Sequence, residues 1–184
     1  MEDVFDVLAE DHEEIRQVLA ELEKGPTAAT GATEDQLMLR KIMTEELLIE
    51  ASKHEEIELT CLWPAVREHV ASGEQLADRG VCAELEIAAL LAGLDKLDAS
   101  EPEFEDLLSR FTQAGREHFD FEERQVWPRL RAAFSSGALA PKAAAELGRK
   151  ILLARQSVPA RPGPHAPAQR SPWPGESARH GSFG

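Results

Sequence analysis

The sequence predicts an all-α protein, an up-down-up-down four-helix bundle with a short fifth helix and a disordered tail. Three observations lead there. Ala, Leu and Glu dominate from the start to about residue 154. Apolar residues recur at helical spacing in long runs. Short segments containing Gly or Pro separate those runs, as between antiparallel neighbours in a bundle. No stretch shows the alternation of a strand.

The first helix is expected from about Asp3 to Lys24, with Val4, Leu8, Ile15, Leu19 and Leu22 on one stripe. Gly25-Pro26 ends it. Thr33 reads as the N-cap of the second helix, which begins near Glu34 and carries Leu37, Leu47, Leu48, Ile57 and Leu62. Pro64 disturbs that helix because it has no N–H to donate. A third helix is expected from about Glu74 to Asp98, with Leu76, Ile87, Leu91 and Leu94 inward. Ser100, with Pro102 two residues on, opens a fourth holding Leu107, Leu108, Phe111 and Val126, and Pro128 disturbs it in turn. A shorter helix from Pro141 to about Ala154 packs outside. These elements form one unit over residues 1–154. Residues 155–184 form a Pro/Gly/Arg-rich tail with little to bury, expected to be disordered.

The 184 residues carry 20 Lys+Arg against 34 Asp+Glu, a net charge of −14. Nucleic acid is therefore not an expected partner, because phosphate contacts need a basic face. No apolar run approaches the roughly 20 residues that span a bilayer. The N-terminus is acidic where an export signal is basic, so a cytoplasmic location is expected. Cys61 and Cys82 are too few for a disulfide framework and read as small core residues. Tyrosine is absent, which excludes a phenolate ligand.

The chain also repeats itself. With an offset of 72, His12 falls on Glu84, and Ile15, Val18, Leu19 and Leu22 fall on Ile87, Leu90, Leu91 and Leu94. With an offset of 64, His54 falls on His118, Glu58 on Glu122, and Trp63-Pro64 on Trp127-Pro128. Two similar helix pairs imply a pseudo-twofold bundle. A His and a Glu four residues apart share one helix face. His12, His54, Glu58, Glu84, His118 and Glu122 therefore all point at the bundle axis. Buried carboxylates cost several kcal/mol each unless compensated. A metal pair compensates them, with Glu58 and Glu122 as bridges, and the mixed donor set suits iron, with manganese or zinc as alternatives. Glu55 and Glu123 point about 100° away from the ligand carboxylates and are expected behind the ligands or in solvent. Trp63 and Trp127 are expected to close the bundle end to water.

The segments Asp11-His12-Glu13-Glu14-Ile15, His54-x-x-x-Glu58 to Trp63-Pro64, and His118-x-x-x-Glu122-Glu123 to Trp127-Pro128 resemble the hemerythrin-like, or HHE cation-binding, domain over about residues 1–135. That resemblance implies a four-helix bundle with a non-haem di-iron centre that meets oxygen, peroxide or nitric oxide. Its ligands carry over to His12, His54, Glu58, His118 and Glu122. The chain departs from the family in the third helix, where a histidine normally follows Glu, since none occurs between His69 and His118. The repeat nominates Glu84. The family's Glu-His pair laid on Glu84-Leu85 nominates Leu85 instead, but Leu85 lies nearly opposite the apolar stripe. A glutamate ligand makes the centre harder and favours the ferric state, which points to redox sensing, scavenging or oxidation rather than reversible oxygen carriage. The residues alone leave open a sensor, a scavenger, a peroxide-decomposing or oxidising enzyme, and a metal-free bundle that binds a protein partner through its tail.

Overall fold

The computed structural model describes residues 4–135 and 140–157. Among these described residues seven α-helices follow one another: α1 Val4–Lys24, α2 Glu34–Ile57, α3 Trp63–His69, α4 Gly73–Leu94, α5 Pro102–Phe121, α6 Trp127–Phe134 and α7 Ala140–Ser157. No strand occurs among the described residues. The second bundle helix is α2 running into α3, and the fourth is α5 running into α6; α1 and α4 complete the four. No described helix is long and apolar enough to cross a membrane.

Local sequence explains the ends. The Thr33 hydroxyl accepts from the Gln36 N–H, and the Gln36 side chain accepts from the Thr33 N–H, a reciprocal cap that starts α2 as expected. Ser100 does not cap α5. Glu101 takes that position, and its carboxylate turns back to the Asp98 N–H. α4 stops at Leu94, short of the expected Asp98. α7 runs three residues past Ala154 and so takes in Arg155. The tail from residue 158 onward lies outside the described residues.

The disturbances at Pro64 and Pro128 have a definite form. Each is preceded by a five-residue π segment, Glu58–Leu62 and Glu122–Val126, whose closing bonds run from Trp63 N–H to Glu58 C=O and from Trp127 N–H to Glu122 C=O. A proline inside an α-helix loses its own hydrogen bond and presses on the carbonyl four residues back. One wider turn relieves both conflicts and lets the helix continue, at the point where each candidate ligand carboxylate leaves the backbone.

Two apolar clusters fill the bundle. One contains Phe5, Leu8, Ile57, Leu62, Trp63, Val66, Phe121, Trp127 and Leu130, and the α7 residues Leu147 and Ile151 extend it. The other contains Ile15, Leu19, Leu22, Leu47, Ile87, Leu91, Phe104, Phe111 and Phe119. Along α1 the polar break between them falls at His12, along α2 at His54 and along α4 at Glu84, while on α5 the change comes between Phe119 and Phe121, next to His118. Beyond the second cluster, the buried guanidinium of Arg40 grips the Glu105 carboxylate through two bonds of 2.6 Å, tying α2 to α5.

Candidate metal centre

All six nominated residues meet in that polar layer and all are buried. They form two groups of four, each with ligand atoms within 4.8 Å of one another: His12, His54, Glu58 and Glu122, and Glu58, Glu84, His118 and Glu122. Glu58 and Glu122 belong to both. His12 Nε2 lies 3.0 Å from His54 Nε2 and 3.2 Å from Glu122 Oε2. His54 Nε2 lies 3.2 Å from Glu58 Oε1. In the second group His118 Nε2 is 3.4 Å from Glu58 Oε2, 3.4 Å from Glu122 Oε1 and 3.9 Å from Glu84 Oε1. On α4 the side chain turned inward is Glu84, 1% exposed, whereas Leu85 is 65% exposed.

Three of the candidate ligands, His12, His54 and Glu84, have a neighbour behind them. His12 Nδ1 is 2.7 Å from Glu123 Oε1, which also takes a 2.8 Å ion pair from Arg16. The Glu123 carboxylate accepts the Nδ1 proton and leaves Nε2 bare toward the site. Behind His54, Asp11 Oδ2 lies 3.5 Å from Nδ1. Trp63 Nε1–H donates to Glu84 Oε1. The His12 ring stacks between Phe119 and Trp127, at centroid distances of 3.9 and 4.9 Å. The two tryptophans thus do more than close an end: each touches a candidate ligand. The matched Trp-Pro pairs of the repeat marked their positions, but a hydrogen bond between helices α3 and α4 had no signal in the sequence.

Trp63 depends on a bare backbone. A Cβ at Gly80 on α4 would stand 2.3 Å from its indole ring. Cys61 is buried as expected, but Cys82 is exposed, because it lies between the inward positions Gly80 and Glu84 and so points outward. Glu123 sits behind the candidate ligand His12. Glu55 packs beside the site, where burial pushes its carboxyl up to about 8, with His54 opposing and Glu58 reinforcing the shift.

The electrostatics are those of a crowded anionic pocket. Burial, reinforced by the Glu58 charge, pushes Glu84 up to about 9, and the same two causes hold Glu122 well above the usual carboxylate range. Burial works against ionised Glu58, but His54 and His118 outweigh it and hold its carboxyl low. His12 is lowered to about 4, mainly by burial against the support of Glu123. Burial also lowers His54, yet Glu58 and Asp11 overcome it and raise the imidazole to about 10. Glu58 Oε1, Glu84 Oε2 and both Glu122 oxygens accept no hydrogen bond. Buried acceptors without donors are costly, and cations between the shared carboxylates would satisfy them. The residues present fit a metal pair.

A family model for the hemerythrin HHE cation-binding domain matches residues 3–134. Among solved structures, the crystal structure of an HHE cation-binding domain-containing protein from Mycobacterium kansasii superposes with a TM-score of 0.64 at 23% identity, covering 86% of this chain and 90% of that one. That likeness shows the fold. No curated protein matches.

Proposed function

The chain belongs to the hemerythrin HHE cation-binding domain family, and from that premise we propose that it binds two non-haem iron ions and senses or scavenges oxygen, peroxide or nitric oxide. The observation that carries this reading is the pair of four-residue groups sharing Glu58 and Glu122. A carboxylate common to two groups is placed to bridge two cations, while His12 and His54 complete one half and Glu84 and His118 the other. Imidazole with carboxylate is a donor set that suits iron; manganese and zinc are the alternatives. Bound iron would supply Lewis acidity and one-electron redox chemistry toward a small ligand.

The protein's own part is to hold, orient and shield. Glu123 fixes the His12 tautomer, the Trp63 N–H steadies Glu84, and Phe119 and Trp127 keep water from the His12 ring. A cavity of about 200 Å³ between α4 and α5, lined by Arg79, Ala83, Ile87, Ala114, His118 and Phe121 among others, opens beside the Glu84 half. It is smaller than the roughly 300–1,000 Å³ of clefts that take drug-sized ligands, so it favours molecules of a few atoms. The third carboxylate favours the ferric state and works against reversible oxygen carriage.

The test is anaerobic loading with ferrous iron, removal of excess, and measurement of iron per chain and of the absorption spectrum on exposure to air, peroxide or nitric oxide. Two irons per chain and a charge-transfer band that bleaches on reduction are expected. A folded protein that retains no iron would contradict the reading and direct attention to protein partners of the tail. Peroxide turnover far above that of a His54→Ala, His118→Ala variant would make it an enzyme; equal rates would leave a sensor or stoichiometric scavenger.

A further inference from the structure

The supports behind the two histidines of the first half differ in where they come from. Behind His12 the chain of contacts is Arg16, Glu123, His12, all from the four-helix body. Behind His54 it is Arg155, Asp11, His54. Arg155 Nη2 lies 2.6 Å from Asp11 Oδ1, Nη1 lies 3.9 Å from Glu10, and the other Asp11 oxygen faces His54 Nδ1 at 3.5 Å. Arg155 stands in the last turn of α7, a helix beyond the residues matched by the family model. Neither His54 Nδ1 nor His118 Nδ1 makes a hydrogen bond, but His54 Nδ1 has the Asp11 carboxylate at ion-pair distance. An outer carboxylate that faces an imidazole Nδ1 selects the tautomer whose Nε2 lone pair points to a metal, and raises its basicity. It does so only while the carboxylate itself is held. Asp11 is nearly buried and His54 fully so, whereas Arg155 is one-third exposed. The relay therefore runs from the surface to a candidate ligand.

We propose that Arg155 is a positioning residue that orients His54 through Asp11, so that docking of α7 and occupancy of the His12/His54 half of the site are coupled. The proposal rests on the reading of the layer as a metal centre. If docked α7 favours metal binding, bound metal must favour docked α7 by the same factor. An event on α7 is then felt at the site, and loading of the site is felt at α7.

The experiment uses the full chain as wild type, Arg155→Met, Arg155→Lys, Asp11→Asn and the Asp11→Asn, Arg155→Met double variant, with Arg149→Met as a control elsewhere on α7. Co(II) and ferrous iron are titrated anaerobically. Amide hydrogen exchange of residues 147–157 is followed with and without metal, and the His54 tautomer is read from imidazole nitrogen shifts in the metal-free protein above about pH 10, where the ring is neutral. In wild type, metal is expected to slow exchange in α7. Arg155→Met is expected to weaken binding of one ion about five- to tenfold, at the low end of typical coupling between sites, to abolish the metal-dependent protection, and to shift the His54 tautomer. Arg155→Lys is expected to restore part of each, and the double variant to lose no more than Asp11→Asn alone. Unchanged affinity and tautomer in Arg155→Met, with α7 protected equally with and without metal, would overturn the coupling and leave α7 as a cover for apolar surface. Failure of wild type to bind either ion would overturn the metal reading itself, and is recognised because every variant then fails alike.

Discussion

The two halves of the polar layer are unequal. One joins two histidines to the shared carboxylates, and each of those histidines has a carboxylate at Nδ1 distance behind it. The other has a single histidine, unsupported at Nδ1, and a third carboxylate held by an indole N–H. The fold's pseudo-symmetry makes the halves equivalent in place, so the difference lies in side-chain chemistry. One backbone arrangement thus offers a softer and a harder position side by side. Imidazole-rich sites suit zinc and iron, whereas carboxylate-rich sites suit manganese.

The largest effect is expected where the halves meet. Glu58→Ala or Glu122→Ala removes a ligand from both groups. Each is expected to weaken both ions by more than about 100-fold, beyond the 10–100-fold typical of losing a supporting group, as read by metal content after gel filtration. Loss of one ion alone would show that the carboxylate serves a single half.

Proton competition comes next. Below about pH 9, Glu84 and His54 both hold protons in the metal-free protein, and burial beside the Glu58 charge pushes Glu122 in the same direction. An ion must displace them, so binding releases protons and weakens as pH falls. Between pH 6 and 8 the apparent affinity is expected to rise about tenfold per pH unit for each proton displaced. Calorimetry in buffers of different ionisation enthalpy counts those protons, and a flat profile would show that the ligands are already bare.

Smaller effects separate the supports of the harder half. Gly80→Ala drives a methyl into the Trp63 ring and is expected to cost about 1–3 kcal/mol of stability, the range for overpacking. It should also displace the donor to Glu84 and so weaken only the Glu84/His118 half. Trp63→Phe keeps most of the packing, drops the N–H, and is expected to reduce affinity at that half by about tenfold. Equal loss at both halves in either variant would mean that Trp63 serves the bundle as a whole.

What could be read in the sequence follows from which interactions are periodic. Helical spacing placed the apolar stripes of α1, α4 and α5. The same period, applied to the internal repeat, turned Glu84 inward and Leu85 outward, as the structure has them. The two prolines announced a disturbance but not its form, because a π turn depends on how the neighbouring helices receive the wider backbone. Helix ends were displaced by a few residues where capping is local and weak, as at Ser100. Contacts between distant segments, such as Trp63 with Glu84 or Arg155 with Asp11, carry no period and leave no mark in either segment alone. Arg155 is the extreme case: its composition and neighbours read as the start of the tail, and only the packing of α7 turns it toward Asp11.

The most direct test of two unequal halves sharing two carboxylates is an anaerobic titration of metal-free protein with Co(II), followed by absorption and calorimetry, in wild type and in Glu84→Ala. The account predicts two ions in two resolved steps for wild type. It predicts one ion for Glu84→Ala, with the spectrum of the His12/His54 half preserved. A single ion in wild type, or two ions retained unchanged by Glu84→Ala, would contradict it.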